Sequence, residues 1–286
     1  MASLIQEGRE HVLWLQLNCP ERFNSYDEDL ARQLESAVRA AIDVTAVAIT
    51  GTGRGFCAGG YLAELTEIDP LAIRRLYRAT LDLFESIRMC PAPVIAAVNG
   101  AAAGGGNELV VACDLAIAAE SATFGQTGPK VGSSPVLGGA NMLALTIGEK
   151  RAKEVAFLCR RYTAQEALEM GWINAVVPDD DLENEVDRWG AELARMSPRY
   201  LEMTKSASNV WWNLIRDNYI QGIGMLTQAI GSIDMVEGAS AFMEKRVPRF
   251  QPRGLIDPLT PNGSRVGASN GDTGPVDAAV SNHQSS

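Results

Sequence analysis

The sequence predicts an α/β fold in which a largely parallel sheet alternates with helices, followed by a helical part. Short apolar runs at 45–50, 94–98 and 114–119 have the length of buried strands, and stretches of helical pattern separate them. Alternation of strands and helices favours parallel pairing, because each helix carries the chain back to the same end of the sheet. Beyond about residue 180 helical patterns dominate.

The predicted elements begin with a β-hairpin over 3–6 and 11–17, closed around a Glu-Gly-Arg-Glu turn. Ser25 and Glu28 have the spacing of a capping box, which predicts a helix from there to about Ala41. The other predicted helices are 70–88, 138–147, 149–158, 164–170, 180–195, 199–220 and 233–246, and the last predicted strand is 173–177.

These patterns divide the chain into three parts. We expect an α/β core over 1–180, a helical region over 181–250, and a tail over 251–286. The tail is rich in Pro, Gly, Asn and Ser and poor in apolar residues, which is typical of disorder.

Composition excludes several classes of function. The formal net charge of −10 argues against a nucleic-acid partner. We expect no membrane segment, because there is no apolar run of about 18 residues and the N-terminus lacks a signal-peptide pattern. Five scattered cysteines without a CxxC pair indicate neither a disulfide framework nor a zinc site, and they fit a reducing cytoplasm.

The low number of histidines excludes further kinds of catalytic and metal site. The chain has two histidines, His11 in the hairpin and His283 in the polar tail. Neither position suits a Ser-His-Asp or Cys-His site, and two are too few for a histidine-rich metal site. An enzyme of this composition would move protons with carboxylates and use backbone amides as the electrophile, with no metal.

The stretch 94–108 carries the most chemical information. A buried strand at 94–98 leads to three consecutive glycines at 104–106, and these open a helix with Glu108 in its first turn. The first amides of a helix have no internal partner and lie at the positive end of its dipole, so they can stabilise an oxygen that gains negative charge. The alternative is that the glycines only allow tight helix–strand packing and Glu108 only complements the dipole.

A second glycine-rich loop, 51–60, follows the strand at 45–50. Its glycine spacing matches neither GxGxxG nor GxxxxGK[ST], so we reject dinucleotide-binding and P-loop interpretations. Taken alone, this loop is also explained as an ordinary flexible turn.

Three motifs in order carry a family resemblance. GFCAGGYL at 55–62, PVIAAVNGAAAGGGNELVVACDLAIAAESATFGQ at 93–126 and AFMEKR at 241–246 resemble motifs of the crotonase (enoyl-CoA hydratase/isomerase) superfamily, and the resemblance covers roughly residues 4–250. It implies a crotonase-like ββα spiral core, a C-terminal helical extension that caps the core or forms subunit contacts, a homotrimer or homohexamer, and an acyl-CoA substrate.

The resemblance also implies roles for individual residues. The backbone amides of Ala58 and Gly105 would donate to the thioester carbonyl as an oxyanion hole. Arg22, Ala58, Gly60 and Lys245 would contact the coenzyme A moiety, with Lys245 reaching it from a neighbouring subunit. The alternative for Arg22 and Lys245 is solvated surface charge. No cofactor is implied beyond the coenzyme A of the substrate.

The chain departs from the typical hydratase at one of two catalytic glutamates. Glu108 matches the first, but Gly128 stands where the second would follow the FGQ segment at 124–126. Candidates for the missing group are Ser133, which we favour as a tentative catalytic residue, and the side chains of Ser134, Gln126 and Glu64. A water held near Gly128 is a further candidate, and loop hydrogen bonding is the alternative for each side chain.

Segments 124–133 and 148–178 resemble dihydroxynaphthoyl-CoA synthases and ketocyclohexanecarboxyl-CoA hydrolases. Pro135 and Ile230 replace residues that those enzymes use, and Glu108 is generally absent from them. The GPKVGSSPVLGG loop together with a GGGxE helix is more similar to 6-oxocyclohex-1-ene-1-carbonyl-CoA hydrolases, which add water to a conjugated thioester and then open the ring.

The combination predicts a lyase that hydrates an enoyl-CoA, with alicyclic acyl groups included. Glu108 would position or deprotonate the water, and burial would raise its pKa into a useful range. Two alternatives remain at this point: a C–C hydrolase that opens a cyclic ketoacyl-CoA, and a coenzyme A-ester binding protein with little or no catalysis.

Overall fold

Two β-sheets organise the protein, whose computed structural model describes residues 3–61 and 69–250. The strands are β1 (Ser3–Gly8), β2 (Val12–Asn18), β3 (Ala46–Gly51), β4 (Gly55–Cys57), β5 (Val94–Val98), β6 (Ala101–Ala103), β7 (Leu115–Ala119), β8 (Thr123–Gly125), β9 (Tyr162–Thr163) and β10 (Ala175–Val177). The first sheet has the order β1-β2-β3-β5-β7-β10, and the second has the order β4-β6-β8-β9. Apart from the β1–β2 hairpin and the β8–β9 pair, the pairing is parallel, as the sequence predicts.

Helices follow the strands and fill the C-terminal part of the described chain. They are α1 (Glu28–Ala40), α2 (Pro70–Met89), α3 (Gly105–Ala112), α4 (Met142–Ile147), α5 (Glu149–Leu158), α6 (Ala164–Met170), α7 (Leu182–Leu193), α8 (Pro198–Ser208), α9 (Val210–Gln228) and α10 (Ile233–Met243). The helix predicted over 199–220 is two helices that meet at Asn209. The tail predicted over 251–286 lies outside the described residues, and the division at residue 180 stays a prediction.

The chain winds between the two sheets in a repeated pattern. β3 is followed by β4, β5 by β6, and β7 by β8. Each of these three strands of the first sheet is thus followed in the chain by a strand of the second sheet. Helix α3 completes the middle repeat directly after β6. This arrangement confirms the predicted α/β spiral core with helices after it.

The central strands β3 and β5 of the first sheet are buried on both faces, which explains their nearly continuous apolar sequences. Side chains of successive residues point to opposite faces. In β5, Ile95 and Ala97 therefore pack toward α7, while Val94, Ala96 and Val98 pack into the larger core that α1 and α2 cover.

The start of α1 differs from the prediction. Asp27, not Ser25, is the N-cap, and its side chain accepts a hydrogen bond from the Leu30 amide at 2.9 Å. The Ser25 hydroxyl instead donates to the Arg22 carbonyl at 2.7 Å. The cap is displaced because a short 3-10 helix, Pro20–Arg22, and the turn after it use Ser25 before the helix begins.

Helix α3 lies unusually close to β4. A methyl group added at Gly106 would lie 1.9 Å from the Cys57 carbonyl oxygen, inside van der Waals contact with a backbone atom. Glycine is therefore required there, because only a residue without Cβ allows the first turn of α3 to lie directly against the end of β4.

A buried lysine ties α8 to the end of α2 and to the segments that directly precede β5 and β7. Lys205 Nζ lies 2.6 Å from Asp114 Oδ2 and donates to the carbonyls of Ile87 and Ala92 at 2.8 and 2.9 Å. Asp114 Oδ2 also accepts from the Val94 amide at 2.8 Å. All three ammonium protons thus have acceptors, which is what makes a buried charge tolerable.

We expect Gly106→Ala to destabilise the fold by about 3 kcal/mol or more, the upper end of overpacking effects, because the obstacle is backbone. Urea unfolding followed by circular dichroism measures this. Gly224→Ala is the matched control: Gly224 is an exposed position of α9 with no atom in the way, so alanine should stabilise it by about 0.5–1 kcal/mol. Equal stability of the two variants would contradict the close approach.

We expect Asp114→Ala to cost about 3–5 kcal/mol in the free energy of unfolding, because it leaves the Lys205 ammonium buried without its counter-ion. The control is Glu149→Ala on α5, which removes an exposed partner of Lys153 and should change the stability little. Chemical denaturation of both variants measures the difference, and an Asp114→Ala cost as small as that of the control would disprove the role of the ion pair.

Candidate active site

A cavity lies where the N-terminal end of α3 meets the end of β4 and the segment after β8. Its wall includes Glu108, the glycines that open α3, and side chains from α2 and α9. The lining residues are Tyr26, Ala58, Gly60, Tyr61, Leu76, Tyr77, Thr80, Gly104, Gly105, Glu108, Gln126, Thr127, Gly128, Val131, Ser133, Ser134, Pro135, Leu137 and Leu226. Five residues predicted for the site, Ala58, Gly60, Gly105, Glu108 and Ser133, therefore line one cavity.

The Glu108 carboxylate is held in one orientation. Its Oε1 accepts hydrogen bonds from the backbone amides of Leu137 at 2.9 Å and Gly139 at 3.0 Å. No hydrogen bond within the described ranges engages Oε2. Because the backbone holds one oxygen, the other remains available to a substrate or a water in the cavity.

Burial dominates the protonation of Glu108. The side chain lies in the first turn of α3 and the residue is 6% exposed. Burial raises the pKa of Glu108 to about 7, although the amides of Gly139 and Leu137 oppose the shift by stabilising the carboxylate. A carboxyl group with a pKa near 7 can accept and return a proton at physiological pH.

The amide predicted as the first oxyanion donor is already used. The Ala58 N–H donates to the Phe23 carbonyl at 3.0 Å, so it is not free to bind a substrate oxygen. The neighbouring Gly60 amide has no acceptor among residues 3–61 and 69–250, and the same holds for the Gly105 amide. The predicted role of the Ala58 amide is therefore wrong in this structure, and the amides of Gly60 and Gly105 are the ones left without an acceptor in the described ranges.

A turn at Gly59 brings the two free amides together. Gly59 has φ +88°, a left-handed conformation that favours glycine, and a methyl group there would lie 2.6 Å from the Gly105 nitrogen. A methyl group at Gly105 would in turn lie 3.4 Å from the Gly60 nitrogen. The two amides therefore belong to neighbouring segments of the cavity wall, an arrangement in which two N–H donors can share one oxygen acceptor.

The position of the missing second glutamate is filled by the following residues. A Cβ at Gly128 would lie 3.0 Å from the Ser134 Cα and 3.1 Å from the Pro135 Cδ. Gln126 and Ser133 line the cavity, and the Ser133 amide donates to the Gly128 carbonyl at 2.8 Å. Both polar side-chain atoms of Gln126 are buried without a hydrogen-bond partner in the described part of the chain. Another candidate, residue 64, lies outside the described residues.

The two cations predicted to bind coenzyme A lie away from the cavity wall. The Arg22 guanidinium lies 4.3 Å from the ring centre of Tyr61, which lines the cavity, and Arg22 also pairs with Asp27 at 2.6 Å. Lys245 is exposed just after α10 and borders a different depression, near β8. The predicted contribution of Lys245 from a neighbouring subunit stays a prediction.

The cavity has an aromatic lining, of which sequence reasoning missed Tyr26. Tyr26 and Tyr77 contribute their rings to the wall, and Tyr61 adds a third. Tyr77 follows Leu76 on a long amphipathic helix, where a tyrosine is ordinarily a packing residue. For Tyr26, the one sequence signal is its position directly before the N-cap, where the chain changes direction.

Comparisons with known proteins identify the family of the chain. A family profile described as Enoyl-CoA hydratase/isomerase matches residues 7–253. The crystal structure of an enoyl-CoA hydratase from Mycobacterium avium subsp. paratuberculosis K-10 is 32% identical, covers 87% of this chain and 98% of that chain, and superimposes with a TM-score of 0.78.

Two further crystal structures give the same result. An enoyl-CoA hydratase from Bacillus anthracis is 33% identical, with 87% and 98% of the two chains covered and a TM-score of 0.70. An enoyl-CoA hydratase/isomerase from Pseudoalteromonas atlantica T6c is 26% identical, with 87% and 100% covered and a TM-score of 0.78. The extent of the profile match and these identities establish that the chain belongs to the enoyl-CoA hydratase/isomerase family.

Proposed function

We propose that this protein is a lyase that adds water to the double bond of an enoyl-CoA thioester, alicyclic acyl groups included. The observation that carries the proposal is the shared cavity of Glu108 and the amides of Gly60 and Gly105, which have no acceptor in the described part of the chain. A carboxylate with a pKa near 7 and a pair of fixed N–H donors are the two components that hydration of a conjugated thioester requires.

The amides act on the thioester oxygen. Addition of water to the β-carbon pushes an electron pair through the double bond onto that oxygen, which becomes enolate-like. The Gly60 and Gly105 amides stabilise it, and each such donor contributes about 3–4 kcal/mol to the transition state. The stabilisation is selective for the transition state, because the oxygen carries more charge there than in the bound substrate.

Glu108 moves the protons. Its free Oε2 takes a proton from water while the water oxygen bonds to the β-carbon. The resulting carboxylic acid then gives that proton to the α-carbon as the enolate collapses, which regenerates the carboxylate. One residue performs both steps because Glu108 is the one carboxylate that lines the cavity among residues 3–61 and 69–250.

The proposal also covers the kind of acyl group that the cavity accepts and the residue that contacts coenzyme A. The loop 128–139, which resembles that of ring-cleaving hydrolases, forms one wall of the cavity and supports an alicyclic acyl group. Arg22, stacked on Tyr61 beside the cavity, is placed to meet the nucleotide part of coenzyme A. Beyond that coenzyme A, the mechanism uses no cofactor.

Subunit association completes the proposal as a homotrimer or homohexamer. Large apolar side chains of α9 and α10 are exposed in the single chain, which is expensive in water and typical of interface surfaces. They include Trp211, Leu214, Met225 and Phe242. A subunit interface there would also present Lys245 to a neighbouring molecule.

We expect Glu108→Gln to lower turnover of crotonyl-CoA and cyclohexenecarbonyl-CoA by about 10²–10⁴-fold, because glutamine cannot accept the proton of water. Substrate binding should persist, since the side-chain oxygen of the introduced glutamine can still accept from the Leu137 and Gly139 amides. Loss of the conjugated thioester absorbance measures the rate, and isothermal titration with a saturated acyl-CoA measures binding.

Glu169→Gln, an exposed position on α6, is the control and should match the wild type. Equal turnover in Glu108→Gln and wild type would remove Glu108 as the base. Mass spectrometry of the products separates the alternatives: hydration gives the hydroxyacyl-CoA, whereas pimelyl-CoA from 2-ketocyclohexanecarboxyl-CoA identifies a ring-opening hydrolase. Binding without any product identifies a coenzyme A-ester binding protein.

We expect kcat/KM to depend on pH through Glu108. The active form is the carboxylate, so kcat/KM should be constant above the pKa of about 7 and fall tenfold per pH unit below it. A steady-state profile from pH 5 to 9 measures this. The residual rate of Glu108→Gln should lack this decrease. A wild-type profile that stays nearly flat down to pH 5, as a glutamate with the ordinary pKa of about 4.3 would give, would contradict the effect of burial.

A further inference from the structure

We propose that Tyr26 is a further catalytic residue, whose phenol donates a third hydrogen bond to the thioester oxygen as it becomes an enolate. The inference rests on the proposed function, in which Gly60 and Gly105 supply the other two donors. It is carried by the place of the Tyr26 hydroxyl, at the junction of these two amides.

The backbone of Tyr26 is locked to the segment that holds the first donor. The Tyr26 amide donates to the Gly59 carbonyl at 2.9 Å, and the Tyr61 amide donates to the Tyr26 carbonyl at 3.0 Å. Tyr26 and Gly60 therefore pair as an isolated parallel bridge. Because these contacts lie on both sides of Gly60, the phenol and the Gly60 amide are positioned as one unit.

The hydroxyl borders the same space as the two amides. A methyl group built on Gly105 would lie 2.6 Å from Tyr26 Oη and 3.4 Å from the Gly60 nitrogen. One small volume beside Gly105 is thus flanked by the phenol on one side and the Gly60 amide on the other. An oxygen bound by Gly60 and Gly105 lies next to this volume, within reach of the phenol.

One neutral hydroxyl competes with a ligand for the phenol. Thr80 is a hydrogen-bonding neighbour of Tyr26, and its own hydroxyl donates to the Leu76 carbonyl at 2.9 Å. A neutral threonine oxygen is a weaker acceptor than an enolate oxygen, because hydrogen bonds to charged acceptors are roughly twice as strong. As negative charge develops on the thioester, the phenol proton is therefore drawn to it.

The phenol also has the right charge state. Burial, with the Cys57 thiol and the Glu108 carboxyl nearby, raises the pKa of Tyr26 well above that of a free phenol. It remains neutral and a donor throughout the physiological range. A hydroxyl in a residue that is 3% exposed is costly unless it has a polar partner, whereas phenylalanine would fill the same core volume without that cost.

The test compares Tyr26→Phe with wild type in two measurements. Steady-state hydration of crotonyl-CoA should show kcat reduced about 10- to 100-fold with KM little changed, because the lost bond strengthens in the transition state. Binding of 4-aminocinnamoyl-CoA should shift its absorption to the red as the carbonyl is polarised, and the shift should be smaller in Tyr26→Phe. A purely structural role would leave both unchanged.

Tyr162→Phe is the matched control. It removes the same hydroxyl from a buried tyrosine outside the cavity, where the group meets Glu154 at 3.3 Å, and it should leave kcat and the red shift at wild-type values. Thermal melting of both variants separates stability from catalysis.

The outcomes distinguish this inference from the proposed function. If the wild type hydrates crotonyl-CoA and Tyr26→Phe has the same kcat and the same red shift, the role of Tyr26 is overturned and the proposed function stands. If the wild type shifts the probe but hydrates no substrate, and Tyr26→Phe shows a smaller shift, the third donor is supported and the proposed function is overturned. A wild type that neither hydrates nor shifts the probe overturns both.

Discussion

The contact between the first turn of α3 and the end of β4 determines the geometry of the site. The Gly106 backbone lies against the Cys57 carbonyl, at a distance that excludes any side chain. That approach is what brings the Gly105 amide, at the positive end of the helix, beside the turn at Gly59 and Gly60. If α3 were displaced by the width of one methyl group, the Gly105 amide would no longer lie beside the Gly60 amide.

The same helix start imposes opposing effects on Glu108. Its place in the first turn, together with the Leu137 and Gly139 amides, favours the carboxylate, whereas removal from water favours the neutral acid. Desolvation is the larger effect, and the pKa therefore rises to about 7. At physiological pH the Glu108 carboxyl group therefore exists in both its charged and its neutral form.

Much of the framework follows from local pattern. The strands of the first sheet, most helices, the glycine-rich start of α3 and the position of Glu108 all depend on periodicity and short motifs, which a sequence displays directly. The strands β4, β6, β8 and β9 of the second sheet are not predicted, because they are too short to show a pattern of their own. The free amide of the GFCAGG loop does not. Whether Ala58 or Gly60 is available depends on the Phe23 carbonyl, which reaches Ala58 from a loop more than thirty residues earlier.

Other details depend on distant contacts in the same way. Ser25 and Glu28 have the spacing of a capping box, yet the preceding 3-10 turn engages Ser25 and leaves the cap to Asp27. Tyr26 belongs to no motif, and its place beside Gly105 follows only from its pairing with Gly60 across the fold. Spacing within one segment cannot specify contacts that a second segment makes.

The loop after β8 gives these observations a common chemical meaning. In typical hydratases this loop supplies a second glutamate, but here Ser134 and Pro135 fill the space that a side chain at position 128 would enter. The continuation of the same loop provides the Leu137 and Gly139 amides that hold Glu108 Oε1. A carboxylate that both takes and returns a proton benefits from a fixed orientation. The protonated carboxyl group must already face the α-carbon when the proton is returned. The loop thus supports the proposed single-carboxylate mechanism, because it holds Glu108 in one orientation.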